Sequence, residues 1–418
     1  MVLMKQKKLW IGIIAVFVAL IVFGAAMMGS ILGAKPKDLP VAIVVLDEQA
    51  ELPTGGSLAV GEMIREKLVG NTQVPFVWQV VGSEAEVRTG LDNQEYYGAL
   101  VLPADLSSGM LSLASPSPKP ATVKIITNEG MNTQASSAVK QILGAAMKGV
   151  SLELSSQLLG QIGQQSEQIS VGAAKALLTP INVAEETVHS VGANNASGNA
   201  PGMLTQILWI GSLVTGLLLF MISQQAIAKG ARRWSVILSQ TVIGLAVIMA
   251  VSGFLVWMAS SWYGMELAHA VDTWLFLWLA GSTFFLLQSS LMNWIGLLSM
   301  GILVLLMFFS MPVLNIAPEF LSQATQDWLY SWTPLKFVSA GLREVMYFGG
   351  LESGNRNVDV LWGITGVFLV ALVASGAKKG KVGGTGVAAA DNVNAGGNSN
   401  VTANAANSSA NPASPASN

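Results

Sequence analysis

Apolar residues in this chain gather into blocks long enough to cross a lipid bilayer. A bilayer core of roughly 30 Å takes about 20 apolar residues as a helix, because each backbone amide must find its partner inside the segment where water is missing. The first block, Leu9 to Leu32, follows Lys5, Lys7 and Lys8 and reads as a signal anchor over residues 9–33, behind a short N-terminus at 1–8. A cleaved signal peptide also starts basic and turns apolar, but its core is only about 7–15 residues. Blocks at 203–228 and 235–258 are joined by a short basic connector at 229–234. Thr273 to Pro318 carries no charge and is too long for one span. Its polar cluster Gln288, Ser289, Ser290 and Asn293 predicts a turn dividing it into 273–291 and 294–314. A last block at 358–377 ends against Lys378, Lys379 and Lys381.

These blocks predict six spans. Short cytoplasmic loops collect Lys and Arg, and an inside N-terminus places the lysines before span one, the connector and the lysines after span six on the cytoplasmic face. The outer loop at 259–272 has no Lys or Arg. The turn between spans four and five also carries no positive charge, although it falls inside by count. The C-terminus is then inside, and the localisation is the cytoplasmic membrane.

Between spans one and two, residues 34–202 are enough for an extracytoplasmic domain of their own. Apolar runs at VAIVVL (Val41 to Leu46), FVWQVV (Phe76 to Val81), YYGALVLP (Tyr96 to Pro103) and TVKIIT (Thr122 to Thr127) read as buried strands. Helical stretches at Ser57 to Leu68 and Ser83 to Asp92 separate them, the second with Ser83 as N-cap and Glu86 three residues on. The alternation implies a small open α/β sheet. From Thr133 to about Ser170, Val139, Ile142, Leu143 and Met147 fall at helical spacing, predicting one long or broken helix, and Ile181 to Val191 returns as a strand. The tail at 378–418 is mostly Gly, Ala, Asn and Ser, cannot bury a core, and reads as disordered. The NVT at Asn400 is a chance glycosylation match.

Composition agrees with the pattern. Of 418 residues, 52% are hydrophobic and 11% charged, against about a quarter charged in soluble domains. A net charge of -2 removes the case for a nucleic-acid binder. With no cysteine there is neither a thiolate site nor a disulfide, and His189 and His269 read as solvated loop residues. No GxxxxGK[ST], HExxH or GxSxG motif is present, so the expectation is no enzyme, no metal and no cofactor in this chain. With the last apolar run counted from Val360 to Ala377, no Asp, Glu or His lies within a predicted span, where a proton-driven pump would need one. Glu266, His269 and Asp272 fall in the outer loop as wetted residues. Any energy for transport therefore enters from elsewhere.

Lys229, Arg232 and Arg233 in the connector either dock the acidic groove of a cytoplasmic partner or only set topology and touch lipid phosphates. The outer segment 315–357, read with the SMPVL before it, is broken by Pro312, Pro318 and Pro334 and studded with Trp328, Tyr330, Trp332, Tyr347 and Phe348. It predicts two short amphipathic helices on or in the outer leaflet, with Arg343 among their polar residues. Ser212, Thr215, Gln240, Ser282 and Thr283 either line a route through the bundle or allow close helix packing.

Three segments give the chain a family likeness: VAIVVLDEQ (Val41 to Gln49) with GGSLAVGEMIREKL (Gly55 to Leu68); YYGALVLPADLS (Tyr96 to Ser107) with NEGMN (Asn128 to Asn132); and TPLKFVSAGLREVMYFGG (Thr333 to Gly350). With the span order, they resemble ABC-2 type exporter permeases, within them the YhgE/Pip (phage infection protein) group. The resemblance implies an α-helical polytopic membrane protein of six spans with an α/β extracytoplasmic domain between spans 1 and 2. It also implies a homodimer among membrane lipids, moving a hydrophobic or amphipathic substrate outward, with ATP bound in a separate P-loop ATPase that meets the connector. The alternative expectation is a membrane-anchored surface receptor or secretion-accessory protein without transport activity.

Overall fold

A computed structural model of the chain describes Ile14 and residues 35–52, 56–113, 115, 117–165, 170–327, 332–353 and 356–378. Apart from Ile14, the first predicted span lies outside them, as does the tail beyond Lys378.

The sheet of the α/β domain is built from β1 (Leu39–Val45), β4 (Phe76–Val81), β5 (Gly98–Leu102), β6 (Ala121–Asn128) and β7 (Ile181–Val188), in the order β4-β1-β5-β6-β7. β1 is parallel to both β4 and β5, while β6 runs antiparallel to β5 and parallel to β7. Because strand side chains alternate, β1 splits its apolar run: Leu39, Val41 and Ile43 join one core, and Ala42 and Val44 the other. The first core is covered by α1 (Val60–Val69), α3 (Leu106–Ser112), α4 (Thr133–Gln165) and α5 (Val171–Leu178), the second by α2 (Glu84–Asp92).

Local chemistry sets these boundaries. Ser57–Leu58 (β3) pairs with Ala50–Glu51 (β2) as a short ladder, so α1 begins only at Val60 rather than at Ser57. Asp47, in the loop after β1, serves two helix starts at once, since its carboxylate accepts from the Gly61 and Ser107 amides, each at 2.7 Å, and from the Ser107 hydroxyl at 2.6 Å. Ser83 caps α2 by accepting from the Glu86 amide, while the Glu86 carboxylate takes the Gly82 amide. The long helix α4 is continuous, with Ala135, Val139, Leu143, Met147, Val150 and Leu154 forming its buried stripe.

Among the described residues, four helical stretches are long and apolar enough to cross a membrane: Ala200–Ala228, Arg233–Ser261, Ala270–Met311 and Arg356–Ala377. They make this a multi-pass membrane protein. α6 (Ala200–Ala228), α7 (Arg233–Ser261), α8 (Ala270–Ile295), α9 (Ser299–Asn315) and α11 (Arg356–Ala374) assemble into one bundle, and α10 (Pro334–Tyr347) shares its core.

The third stretch does not turn at its polar cluster. α8 runs through Gln288, Ser289, Ser290 and Asn293, all buried, and the chain reverses at Gly296, whose φ of 79° glycine adopts without steric cost. Neighbouring helices make this placement tolerable: Gln288 Nε2 donates to the Trp209 carbonyl on α6 at 3.2 Å, and Asn293 Nδ2 donates to Ser289 O at 2.8 Å and faces Gln240 Oε1 on α7 at 3.4 Å. Beyond the reversal, α9 returns to the level where α6 begins. There Asn315 lies so close to Gly202 that a Cβ would meet its Oδ1 at 1.9 Å. At the opposite end Lys378 Nζ donates to the Trp294 carbonyl. The bundle thus has an end joined to the α/β domain and a far end.

The segment after α9 also departs from expectation. Ala317 and Phe320 enter the core beneath the sheet, and α10 is packed into the bundle rather than laid on a lipid surface. Its apolar positions Leu335, Val338, Leu342, Val345 and Met346 meet other helices, which satisfy that face as a leaflet would have. A single turn at Pro318–Phe320 and another at Gln323–Thr325, which continues as π-helix over Gln326 and Asp327, precede it among the described residues. Trp328 and Tyr330 lie outside those residues.

Candidate functional site

The polar face of α10 is where the two halves of the molecule meet. Lys336, Ala340, Arg343 and Glu344 recur at helical spacing opposite the apolar stripe, yet they do not face open solvent. Together with Ser339 they line a cavity of about 210 Å³, roofed by Gln94, Tyr97, Met131 and Asn132 of the α/β domain and walled by the residues from Leu314 to Glu319. Asn357, at the start of α11, completes the wall.

Hydrogen bonds fix these walls. Tyr97 OH donates to Glu319 Oε2 at 2.7 Å, Asn132 Nδ2 to the Asn315 carbonyl at 3.2 Å, and Ser339 Oγ to the Leu314 carbonyl at 3.1 Å. Arg343 is 9% exposed and donates from Nη1 to the Gly198 carbonyl, just before α6, at 3.3 Å. Asn357 Nδ2 donates to Glu344 Oε2 at 3.4 Å. Burial pushes the Glu344 carboxyl up, opposed by the Asn357 bond, and pushes the Lys336 ammonium down. Tyr347, one turn on, is pushed up to about 12 by the same cause. Desolvation therefore disfavours charge on both Lys336 and Glu344, a cost that partial burial in this half-open polar hollow imposes.

Beside this cavity the bundle carries a second hollow of a different kind. A groove of about 420 Å³ between α7, α8 and α11 is lined almost wholly by apolar side chains, among them Leu275, Trp278, Leu351 and Trp362, with Ser282 and Thr365 its polar members. The other small polar residues proposed for a route sit in helix contacts. Ser212 Oγ donates to the Gly281 carbonyl at 3.3 Å, Thr283 and Thr365 hydroxyls are 2.7 Å apart, and Thr215 bonds back to the Gly211 carbonyl. Gln240 is buried against Asn293.

At the far end the connector divides its three cations. Lys229 and Arg232 are exposed, whereas Arg233 is half-buried and donates from Nε to the Ser375 carbonyl at 3.0 Å, closing the end of α11. A cation at a helix C-terminus also meets the favourable end of its dipole. Trp234 and Trp294 are half exposed at this end, and Trp257, Trp262 and Trp332 toward the other, the distribution of aromatic belts at two interfaces.

The sequence pattern of the family described as "Protein of unknown function (DUF3533)" matches residues 9–370. The chain belongs to the DUF3533 family. No curated protein matches it. Among solved structures, a crystallised domain assigned to an ABC type-2 transporter of Thermotoga maritima MSB8 is 16% identical, with 35% of this chain and 84% of that chain covered at a TM-score of 0.26. A likeness that slight bears on neither fold nor function.

In this DUF3533 protein the segments singled out in the sequence converge on two places. Asp47, Gly61 and Ser107 form the double helix cap, and Tyr97, Asn132, Lys336, Arg343 and Glu344 meet at the cavity. Of the outer-segment residues, Pro334 opens α10, Arg343 and Tyr347 are buried, and Trp332 is exposed, while Trp328 lies outside the described residues. The cavity's other walls, Glu319 and Asn357, carried no sequence signal of their own, because each is brought there by tertiary packing alone. His189 is not a solvated loop residue. Its side chain is 19% exposed, its Nε2 lies 3.2 Å from Asp92 Oδ1, its Nδ1 lies 3.2 Å from Asn128 Oδ1, and its ring packs on Phe348 with centroids 4.3 Å apart. Burial pushes its pKa down, against the raising influence of Asp92.

Proposed function

We propose that this chain is the permease subunit of an ABC-2 type exporter, moving a hydrophobic or amphipathic substrate outward across the cytoplasmic membrane. In this reading it has six spans with both termini inside, the α/β domain lies outside, and a separate P-loop ATPase supplies the hydrolysis. Two copies pair to form the transporter. The chain itself is then no enzyme and holds no cofactor.

The observation that carries the reading is the course of α6. This single helix of 29 residues, about 43 Å at 1.5 Å per residue, starts at the seam where Arg343 holds the Gly198 carbonyl and ends at Lys229. A push on the connector is thereby delivered to the cavity and the α/β domain along one rigid element. Arg233 is committed to Ser375, so Lys229 and Arg232 are the cations that meet the ATPase. The far end, among the described residues, has Lys229, Arg232, Arg233 and Lys378 and no acid, as a cytoplasmic face would.

The test places a photo-crosslinking residue at the exposed position Ala231, beside Arg232, in cells. Capture of a protein with a P-loop ATPase motif is the expected result, and capture of lipid alone overturns the coupling. The absence of cysteine makes topology directly measurable with Leu178→Cys and Lys229→Cys: the first should label from outside and the second only after permeabilisation. A receptor reading draws on the exposed apolar residues Leu152, Val171 and Leu178 on α4 and α5. Surface binding retained after Lys229 and Arg232 are neutralised, with no ATPase captured, would favour it.

A further inference from the structure

We infer that the outward face of α9 is the packing site of the chain's own first predicted span, residues 9–33, which makes that span a member of the bundle and not a tether for the α/β domain. The inference rests on the six-span reading, and on neither transport nor an ATPase.

The chain enters the α/β domain beside the end of α9. The Lys37 amide donates to the Glu319 carbonyl at 3.2 Å, and Glu319 lies in the turn that follows α9, four residues past its last residue, Asn315. From Gly33 to Lys37 the chain reaches about 14 Å at full extension, and packed helix axes lie about 8–10 Å apart. A span that ends at Gly33 therefore stands next to that turn. With its N-terminus inside it also rises in the same direction as α9, from the basic far end toward the seam.

α9 has an open side for it. Between Ser299 and Ser310 only Ser299, Leu303 and Ser310 are buried, whereas α8 buries most of its length. Gly301, Ile302, Val304 and Leu305 are exposed on the side opposite Leu303, and among the described residues a Cβ on Gly301 would meet nothing within 4 Å. Lipid tails could cover this face, but the sequence of the first span carries a pattern that lipid does not need. Gly12, Ala15, Ala19, Ala26, Gly29 and Gly33 recur at spacings of three, four and seven, a small-residue stripe interrupted only by Val22. Small residues let helices approach closely, and close packing is what holds helices together in lipid. A short linker also gives the tethered span an effective concentration on the order of millimolar at that face, an advantage that a second copy lacks.

Because the chain has no cysteine, paired substitutions report proximity directly. Ala19 and Gly301 each lie 14 residues below the outer ends at Gly33 and Asn315, at one depth. In native membranes Ala19→Cys is combined in turn with Gly301→Cys, Ile302→Cys and Leu305→Cys, and with Val367→Cys, an exposed position on α11, as the control. A disulfide needs Cβ atoms about 3.5–4.5 Å apart. Oxidation should join Ala19→Cys to at least one α9 position within a single chain, at about tenfold or more the yield with Val367→Cys, read by mass spectrometry of a non-reduced digest. Ala15→Leu, which fills the stripe, should cut that yield about fivefold, while Ile13→Leu, off the stripe, leaves it unchanged. Three results overturn the inference: no disulfide to α9 in a chain whose N-terminus is intact, an equal yield at Val367→Cys, or a product of twice the chain's mass in place of the intrachain one, which would give the face to a second copy. A chain that begins beyond Gly33 overturns the six-span reading as well, and the N-terminal peptide tells that failure from the others.

Discussion

Gly244 on α7 is a place where the bundle has no room for a single methyl group. A Cβ there would lie 1.9 Å from Phe285 Cζ, with two further ring atoms at 2.3 and 2.6 Å. Ordinary carbon contacts need about 3.5 Å, so the ring would have to retreat by about 1.6 Å. It cannot do so freely, because Phe285 is fully buried with Ile237, Ile248, Leu286 and Leu372 around it. Overpacking of this kind costs about 1–3 kcal/mol, against about 1 kcal/mol gained from replacing glycine by alanine in a helix. Gly363 on α11 has nothing within 4 Å of its would-be Cβ. Gly363→Ala should therefore be neutral or stabilising and Gly244→Ala destabilising, the same chemistry with opposite sign. Thermal unfolding of the detergent-solubilised protein, followed by tryptophan fluorescence, measures both. Equal midpoints for the two variants would show that α7 and α8 do not touch at Phe285.

Replacing Asp47 with Ala removes the acceptor for two helix-start amides and one hydroxyl, and should cost about 3 kcal/mol or more; proteolysis of the α/β domain in intact protein reads the loss. Arg233→Gln should lower the melting midpoint by loosening the end of α11 while leaving ATPase capture intact, whereas Arg232→Gln should do the reverse. His189, whose pKa is lowered in the folded state, binds its proton more readily in the unfolded chain, so its contribution is complete above the unfolded value near 6.5 and is lost as pH falls below it. Melting between pH 7.5 and pH 5 should show a decline that His189→Asn removes. Glu84 and Glu186, whose pKa values are lowered chiefly by Lys124 and Arg88 respectively, withdraw their support only below about pH 4.5, outside that window.

Much of the architecture was legible because lipid and sheet cores both demand uninterrupted apolar runs. β1, β4, β5 and β6 occupy the four runs read as strands, and the apolar blocks that lie within the described residues are helices. The reading failed where a residue's chemistry is answered by a partner far along the chain. Gln288 and Asn293 look like a turn until the Trp209 carbonyl and Gln240 are beside them. Arg343 looks like the wet face of an interfacial helix until the Gly198 carbonyl is found to hold it. The basic connector reads as one patch, and only the Ser375 carbonyl separates Arg233 from its neighbours.

The same partners explain why the α/β domain is more than an attachment. Phe320 lies in the core beneath the sheet while Leu314, six residues before, lies in the bundle core, so the two cores share one chain segment without a linker between them. Tyr97 on Glu319, Asn132 on the Asn315 carbonyl and His189 on Phe348 then tie the sheet's edge to that segment and to the end of α10. A domain joined by a flexible tether could bind a ligand without any consequence for the helices. Here a ligand that draws Arg343 or Glu344 by even a small distance must also load Gly198, where α6 begins, and Asn357, where α11 begins. Each of those helices runs to the basic far end, so the seam and the connector are joined by the same two rods. In the exporter reading, that shared course lets the two ends act on each other.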